Sequence, residues 1–351
     1  MKFLLFPFAF LYGLGVFVRN FLFDRGLLKQ NTYPFPVIGV GNLRVGGTGK
    51  TPMVAYLASL LEKDKFHIAV LSRGYGRKSK GYVLASDMTE PEIMGDESYL
   101  LKSKFPKSIV AVDENRVHGI EKLRKEVDTI DVVLLDDSFQ HRSVKPGFSI
   151  LLTAYSKLYI DDYLLPVGRL REPAFGAARA DCIVVTKCPP KLDIHTRRTI
   201  RERLRPRSHQ QVFFAYEHYS ALNSLTPGSN ALLMDSIKNH HILLVTGLAD
   251  PSWIFDHLEE LTAQVVHLKF PDHHWFTEVD LDDIIQGFES IDAKNKLIIT
   301  TEKDAQRLKK WIQSEKFAKL PWYSIEHQMM LFPENAKDFQ KTIDEFIRSY
   351  K

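Results

Sequence analysis

Gly46-Gly47-Thr48-Gly49-Lys50-Thr51 is a run of residue types suited to holding phosphate. Glycines let successive backbone N–H groups turn toward one anion, and a helix opening just after them adds positive partial charge. A lysine behind the last glycine reaches the β- and γ-phosphates, and the following hydroxyl reaches Mg²⁺. Position 44, a glycine in the standard loop, is Arg44, so this is the G-G-x-G-K-T variant. Asp136-Asp137 closes the apolar run Val132–Leu135, and carboxylates at the end of a buried strand hold Mg²⁺ directly or through water. Asp96, in Gly95-Asp96-Glu97, is a candidate base for an acceptor hydroxyl, although the same triplet also caps helices. Arg169, Arg171 and Glu172 share one loop. Arginine forks suit phosphates, and they equally suit a surface ion-pair cluster; Ser72–Arg77 carries the same two readings. Asp272-His273-His274 reads as a metal site, an Asp–His dyad or a solvated turn. Thr186-Lys187, at a strand end, stands where a nucleotide base could be met.

These groups need elements to position them. Pro36–Val40 reads as a short buried strand, and apolar residues at 53, 54, 57, 60 and 61 mark one helical face after the glycine loop. Ile68–Leu71, Ile109–Val112, Val132–Leu135, Ser149–Thr153 and Cys182–Thr186 are further strands, with a helical stretch near 115–126. Strands alternating with helices predict a parallel sheet covered on both faces. The pattern breaks around 206–230, where Val212–Tyr219 reads as an isolated strand and a hinge is expected. A second α/β unit then begins at Ile242–Val245 and continues through Val265–Phe270 and Leu297–Thr301, each strand ending in polar residues. Ligands gather beyond such carboxyl ends. The expected boundaries are 1–28 for an N-terminal helix, 29–211 for the phosphate-loop domain, 212–230 for the hinge and 231–351 for a C-terminal α/β domain.

With 351 residues and 44% hydrophobic content, the chain has material for two ordinary cores. A net charge of +4 gives no case for a nucleic-acid partner. Two cysteines, Cys182 and Cys188, exclude a disulfide scaffold and suit the cytoplasm. From Phe3 to Val18 no residue is charged, and Arg19-Asn20 then interrupts the apolar run. A signal peptide, a transmembrane anchor, a helix in the membrane interface and a buried core helix all remain open for it. The expectation carried forward is a membrane-associating helix.

Together the motifs resemble the tetraacyldisaccharide 4′-kinase family of lipid A biosynthesis. The resemblance rests on Gly41-Asn42-Leu43 with Val45–Pro52, Ser72–Arg77, Gly95–Glu97, Asp113–Arg116, Asp136–Arg142, Leu164–Pro173, Asp181–Lys187, Phe270–His274 and Thr300–Asp304. These segments keep the family's order over most of the chain. The resemblance implies a P-loop NTPase-like αβα sandwich, a second, smaller αβα domain, a two-stranded hinge and nucleotide bound at the cleft. It implies transfer of phosphate from ATP, with Mg²⁺, to the 4′-hydroxyl of a tetraacylated disaccharide 1-phosphate, giving lipid IV-A. The enzyme would be a monomer at the cytoplasmic face of the bacterial inner membrane, docked by its N-terminus because the substrate's acyl chains stay in the bilayer.

Site residues carry over by position. Val45, Gly46, Gly47, Thr48, Gly49, Lys50, Thr51 and Pro52 would bind ATP. Asp96 would be the general base and Lys50 the phosphate-loop lysine, with His273 paired to the base and Asp272 in the same motif. Thr51, Asp136, Asp137 and Glu172 would stand near Mg²⁺, and Arg77, Gln140, His141 and Arg171 near substrate. Ser138 and Ser98 replace a glycine and a proline usual in the family. The alternative is a P-loop nucleotide switch or metallochaperone-type NTPase, which would hydrolyse ATP without an acceptor.

Overall fold

The computed structural model describes residues 2–350 except 227, 249, 273, 313, 315 and 316. The chain forms two compact units, one of residues 1–217 with 329–351 and one of residues 218–328.

The first unit begins with helix α1 (Phe6–Asp24). Its sheet is built from β1 (Val37–Asn42), β2 (Ile68–Ser72), β3 (Val83–Leu84), β4 (Ile109–Val112), β5 (Val132–Leu135), β6 (Phe148–Ala154), β7 (Cys182–Cys188) and β8 (Gln211–Ser224). The order is β8-β7-β6-β1-β5-β2-β4-β3, parallel throughout except β3. Every residue of β1, β2 and β5 is buried, as expected for strands with both faces covered. Helices α2 (Lys50–Lys63), α3 (Pro91–Met94), α4 (Asp96–Lys104), α5 (Arg116–Glu126) and α6 (Ile194–Leu204) connect them. Met53, Val54, Leu57, Ala58 and Leu61 are the buried stripe of α2, at helical spacing. The strand read as isolated at 212–219 is longer and not isolated: β8 pairs in parallel with β7, because Val212, Phe213, Phe214 and Ala215 are buried there.

In the second unit, β9 (Leu232–Leu233) pairs with the end of β8. Strands β10 (His241–Thr246), β11 (Gln264–Lys269), β12 (Lys296–Thr301) and β13 (Trp322–Leu331) form a parallel sheet in the order β11-β10-β12-β13. Helices α7 (Ser252–Leu261), α8 (Glu278–Glu289) and α9 (Glu302–Ile312) alternate with these strands. A reciprocal capping box of Thr277 and Asp280 starts α8.

The last helix, α10 (Pro333–Arg348), departs from the expected 231–351 domain. Its stripe of Phe339, Ile343 and Ile347 packs in one core with Leu57, Leu61 and Phe213 of the first unit. The chain therefore enters the second unit along β8 and returns along β13.

Candidate active site

In the first unit, β1 lies between β5 and β6, so the strand order reverses at its carboxyl end, the usual ligand position in such sheets. The phosphate loop stands there. Gly46 and Gly49 have φ of 110° and 84°, left-handed values that glycine reaches without strain. The loop is braced from two sides. Asn42 Nδ2 donates to Thr48 Oγ1 at 2.6 Å, and Thr186 Oγ1 donates to the Thr48 carbonyl at 2.9 Å. Thr186, considered as a base contact, thus supports the phosphate loop instead, while Lys187 pairs with Glu217 at 3.9 Å. Arg44, the variant position, is tied to Asp162 at 2.6 Å. Ser138, where the family has glycine, fits against β1 through its N–H bond to the Val40 carbonyl.

Asp136 and Asp137 end β5 and part company. Asp136 is buried, and its Oδ1 has no hydrogen-bond partner among the described residues. Burial, reinforced by Glu97, pushes its carboxyl well above the usual range. Asp137 takes a positive φ of 48°. Arg171 grips it through both guanidinium nitrogens at 2.9 and 3.2 Å, and Lys50 Nζ lies 3.8 Å away. Burial opposes ionisation of Asp137, yet these cations hold its pKa below the ordinary value. Thr51 Oγ1 donates to Glu97 Oε2 at 3.1 Å.

Glu172 is fully enclosed. Its oxygens accept from Asn20 at 2.8 Å, Gln140 at 3.0 Å and Arg179 at 2.8 Å. Three nitrogen donors thus tie this carboxylate to α1 and to the neighbouring loops. Gln140 Nε2 also donates to the Asn42 carbonyl at 2.8 Å, and Arg171 contacts the Asn42 side chain. His141 is half-buried; burial, with the nearby Arg116 cation, lowers its pKa to about 4, so it stands neutral.

Asp96 opens α4 and is buried. Gly95 before it has φ of 79°, and a side chain there would meet the Tyr75 carbonyl at 2.7 Å. That close approach seats the start of α4 against the 72–77 loop. Arg77, expected near substrate, donates to the Gly81 carbonyl and to Glu114 beyond β4, both at 2.6 Å. Arg116, to which no role was given, is buried and donates to the Asp136 carbonyl at 3.0 Å.

In the second unit, the ends of β10, β11 and β12 meet around Asp304. Its buried carboxylate accepts from Gly247 N at 3.0 Å and Thr301 Oγ1 at 2.8 Å, and pairs with Arg307 at 3.1 Å. His274 pairs with Asp280 at 2.9 Å and stacks on Phe270. Asp272 is exposed beside it, and His273 lies outside the described residues. Asp96 belongs to the first unit and Asp272 to the second.

Asn42, Glu97 and Asn20 also bond into the site, and their residue types alone do not point to it; Asn42 and Glu97 belong to the motifs Gly41-Asn42-Leu43 and Gly95-Asp96-Glu97. For Asn20 the available signal was an amide inside an apolar run.

A model of the family described as tetraacyldisaccharide-1-P 4′-kinase matches residues 1–348. A tetraacyldisaccharide 4′-kinase of Flavobacterium psychrophilum is 45% identical over 347 residues, covering 98% of this chain and 96% of the relative. One of Bacteroides thetaiotaomicron is 48% identical over 313 residues, covering 87% and 82%. Among solved structures, "apo" form LpxK from Aquifex aeolicus in complex with ATP superimposes with a TM-score of 0.76 at 29% identity, covering 99% of each chain.

Proposed function

The chain belongs to the tetraacyldisaccharide-1-P 4′-kinase family, and from that premise we propose that it transfers the γ-phosphoryl group of ATP to the 4′-hydroxyl of tetraacyldisaccharide 1-phosphate. The observation that carries this reading is the joining of the braced phosphate loop to the Lys50–Asp137–Arg171 cluster. In the transfer, the acceptor oxygen forms a bond to the γ-phosphorus, the bond to the bridging β–γ oxygen breaks, and ADP leaves. The acceptor proton goes to a carboxylate, for which Asp96 at the start of α4 is the candidate. Lys50 follows the charge on the β- and γ-phosphates, and Arg171, held on Asp137, adds positive charge beside it.

The residues fit Mg²⁺. Asp136 Oδ1 is a buried oxygen without a hydrogen-bond partner among the described residues, and Thr51 supplies a hydroxyl beside Glu97. We assign Asp136 and Thr51 as the protein's ligands, with Asp137 holding the two cations that face phosphate. Bound Mg²⁺ would neutralise charge on the phosphate oxygens. Asp272 and His273 remain proposed contributors from the second unit, read from the family motif.

Helix α1 is long and apolar enough to cross a membrane, and most of its surface is exposed. Phe8, Phe10, Leu11 and Leu14 stand out from it. We read it as the element that seats the enzyme on the bilayer holding the acyl chains, on the cytoplasmic side where ATP is made.

The test is ATP consumption with and without the lipid acceptor in micelles. A kinase consumes ATP only with acceptor present. Equal consumption in both arms would favour the nucleotide-switch reading.

A further inference from the structure

Only two residues of α1 are buried, Ala9 and Asn20. A buried amide is costly unless its groups are paired; the Asn20 side chain is tied into the site by its nitrogen, while its Oδ1 has no partner among the described residues. Its Nδ2 donates to Glu172 Oε2 at 2.8 Å, and its backbone carbonyl accepts from Arg142 Nη1 at 3.0 Å. Two more residues of the same helix grip neighbouring parts of the site. Tyr12 Oη donates to the Arg171 carbonyl at 2.9 Å, and Arg19 donates to the Gln140 carbonyl at 2.6 Å. Gln140 in turn bridges Glu172 and the Asn42 carbonyl, and Asn42 touches both Thr48 and Arg171. The helix therefore combines exposed aromatic side chains with a polar set, Tyr12, Arg19 and Asn20, bonded into the site. That polar set holds consecutive residues of the loop carrying Arg171. An anchor serving only the bilayer would need none of these contacts.

We propose that α1 is part of the catalytic framework, with Asn20 a positioning residue that acts through Glu172 on Arg171 and Gln140. This rests on the kinase reading for its kinetic consequence, but not for its structural one. Membrane seating and alignment of Arg171 are then duties of one helix. A shift of α1 in the bilayer reaches Arg171 through two contacts, the Asn20–Glu172 bond and the Tyr12 hydrogen bond.

The test uses the full-length protein with Asn20→Leu and Asn20→Asp. Lipid phosphorylation is measured in detergent micelles, ATP affinity with a fluorescent nucleotide, and partitioning on phosphatidylethanolamine–phosphatidylglycerol vesicles. For Asn20→Leu, kcat should fall roughly tenfold or more, the scale of a lost buried hydrogen bond to a charged group. ATP affinity and vesicle partitioning should stay unchanged. Asn20→Asp sets a second carboxylate against Glu172, and one shared proton restores the bond. Its kcat should therefore recover as pH falls, a profile that wild type and Asn20→Leu lack. Hydrogen exchange at the Arg171 amide, which bonds the Leu43 carbonyl at 2.7 Å, should quicken in Asn20→Leu without lipid present. Wild-type kcat in Asn20→Leu, or loss of partitioning with unchanged exchange at Arg171, would overturn the proposal. Absence of lipid phosphorylation in wild type would instead overturn the kinase reading, and the exchange measurement would still decide the role of Asn20.

Discussion

Lys50 and Arg171 both lean on Asp137, and this sharing gives two adjacent carboxylates different duties. Asp137 stays ionised between two cations, while burial beside Glu97 pushes the Asp136 carboxyl well above the usual range. The pair was legible in the sequence as a strand-end motif, but its division was not. That division depends on the positive φ at Asp137 and on Arg171, 34 residues away. The contacts of Glu172 were not legible for a similar reason, since its donor Asn20 lies 152 residues off in the chain. The phosphate loop was legible as a motif because its glycines, Lys50 and Thr51 are contiguous, whereas its braces Asn42 and Thr186 were not. His141 carries a pH consequence at this scale. It titrates near 6.5 when unfolded and near 4 when folded, held down by burial and by Arg116. Its contribution to stability is present above 6.5 and is lost as pH falls through about 4, because the unfolded chain binds the proton first. His141→Gln should therefore lose less Tm between pH 7 and pH 5 than wild type, measured by thermal denaturation. Equal losses would remove His141 from the acid response.

Among the elements, α1 and the Asp304 cluster make separable predictions. Phe10 is 71% and Phe8 60% exposed on α1, so neither supports the protein core. Replacing both with Glu should lower vesicle partitioning by roughly tenfold or more, from the transfer energy of a phenyl side chain. Tm should not change; a large loss of Tm with intact partitioning would make this face structural. Asp304 has the opposite character. With its carboxylate gone, Arg307 is left buried beside an unbonded Gly247 amide. Asp304→Ala should destabilise the second unit by about 3 kcal/mol, the scale of a broken buried ion pair, measured by urea denaturation. A change under about 1 kcal/mol would show that the cluster is dispensable. The α1 apolar run was legible as a membrane candidate. Its polar grip on the site was not, because helical periodicity reports one face at a time and cannot name what the other face meets.

At the scale of the molecule, alternation of buried strands with amphipathic helices was enough to read an α/β fold in two parts. The return of α10 to the first unit was not legible. Its stripe of Phe339, Ile343 and Ile347 suits either core equally, and only the path of β13 back to the first unit decides between them. Both units end their strands in polar residues, and the phosphate chemistry concentrates at the reversal of strand order beside β1. The most direct measurement follows radiolabel from the γ-position of ATP into purified tetraacyldisaccharide 1-phosphate in micelles, comparing wild type with Lys50→Ala and Asp96→Ala. The account predicts labelled lipid from wild type, none from Lys50→Ala, and strongly reduced label from Asp96→Ala with ATP binding retained. Label released as free phosphate, with none on the lipid, would contradict it.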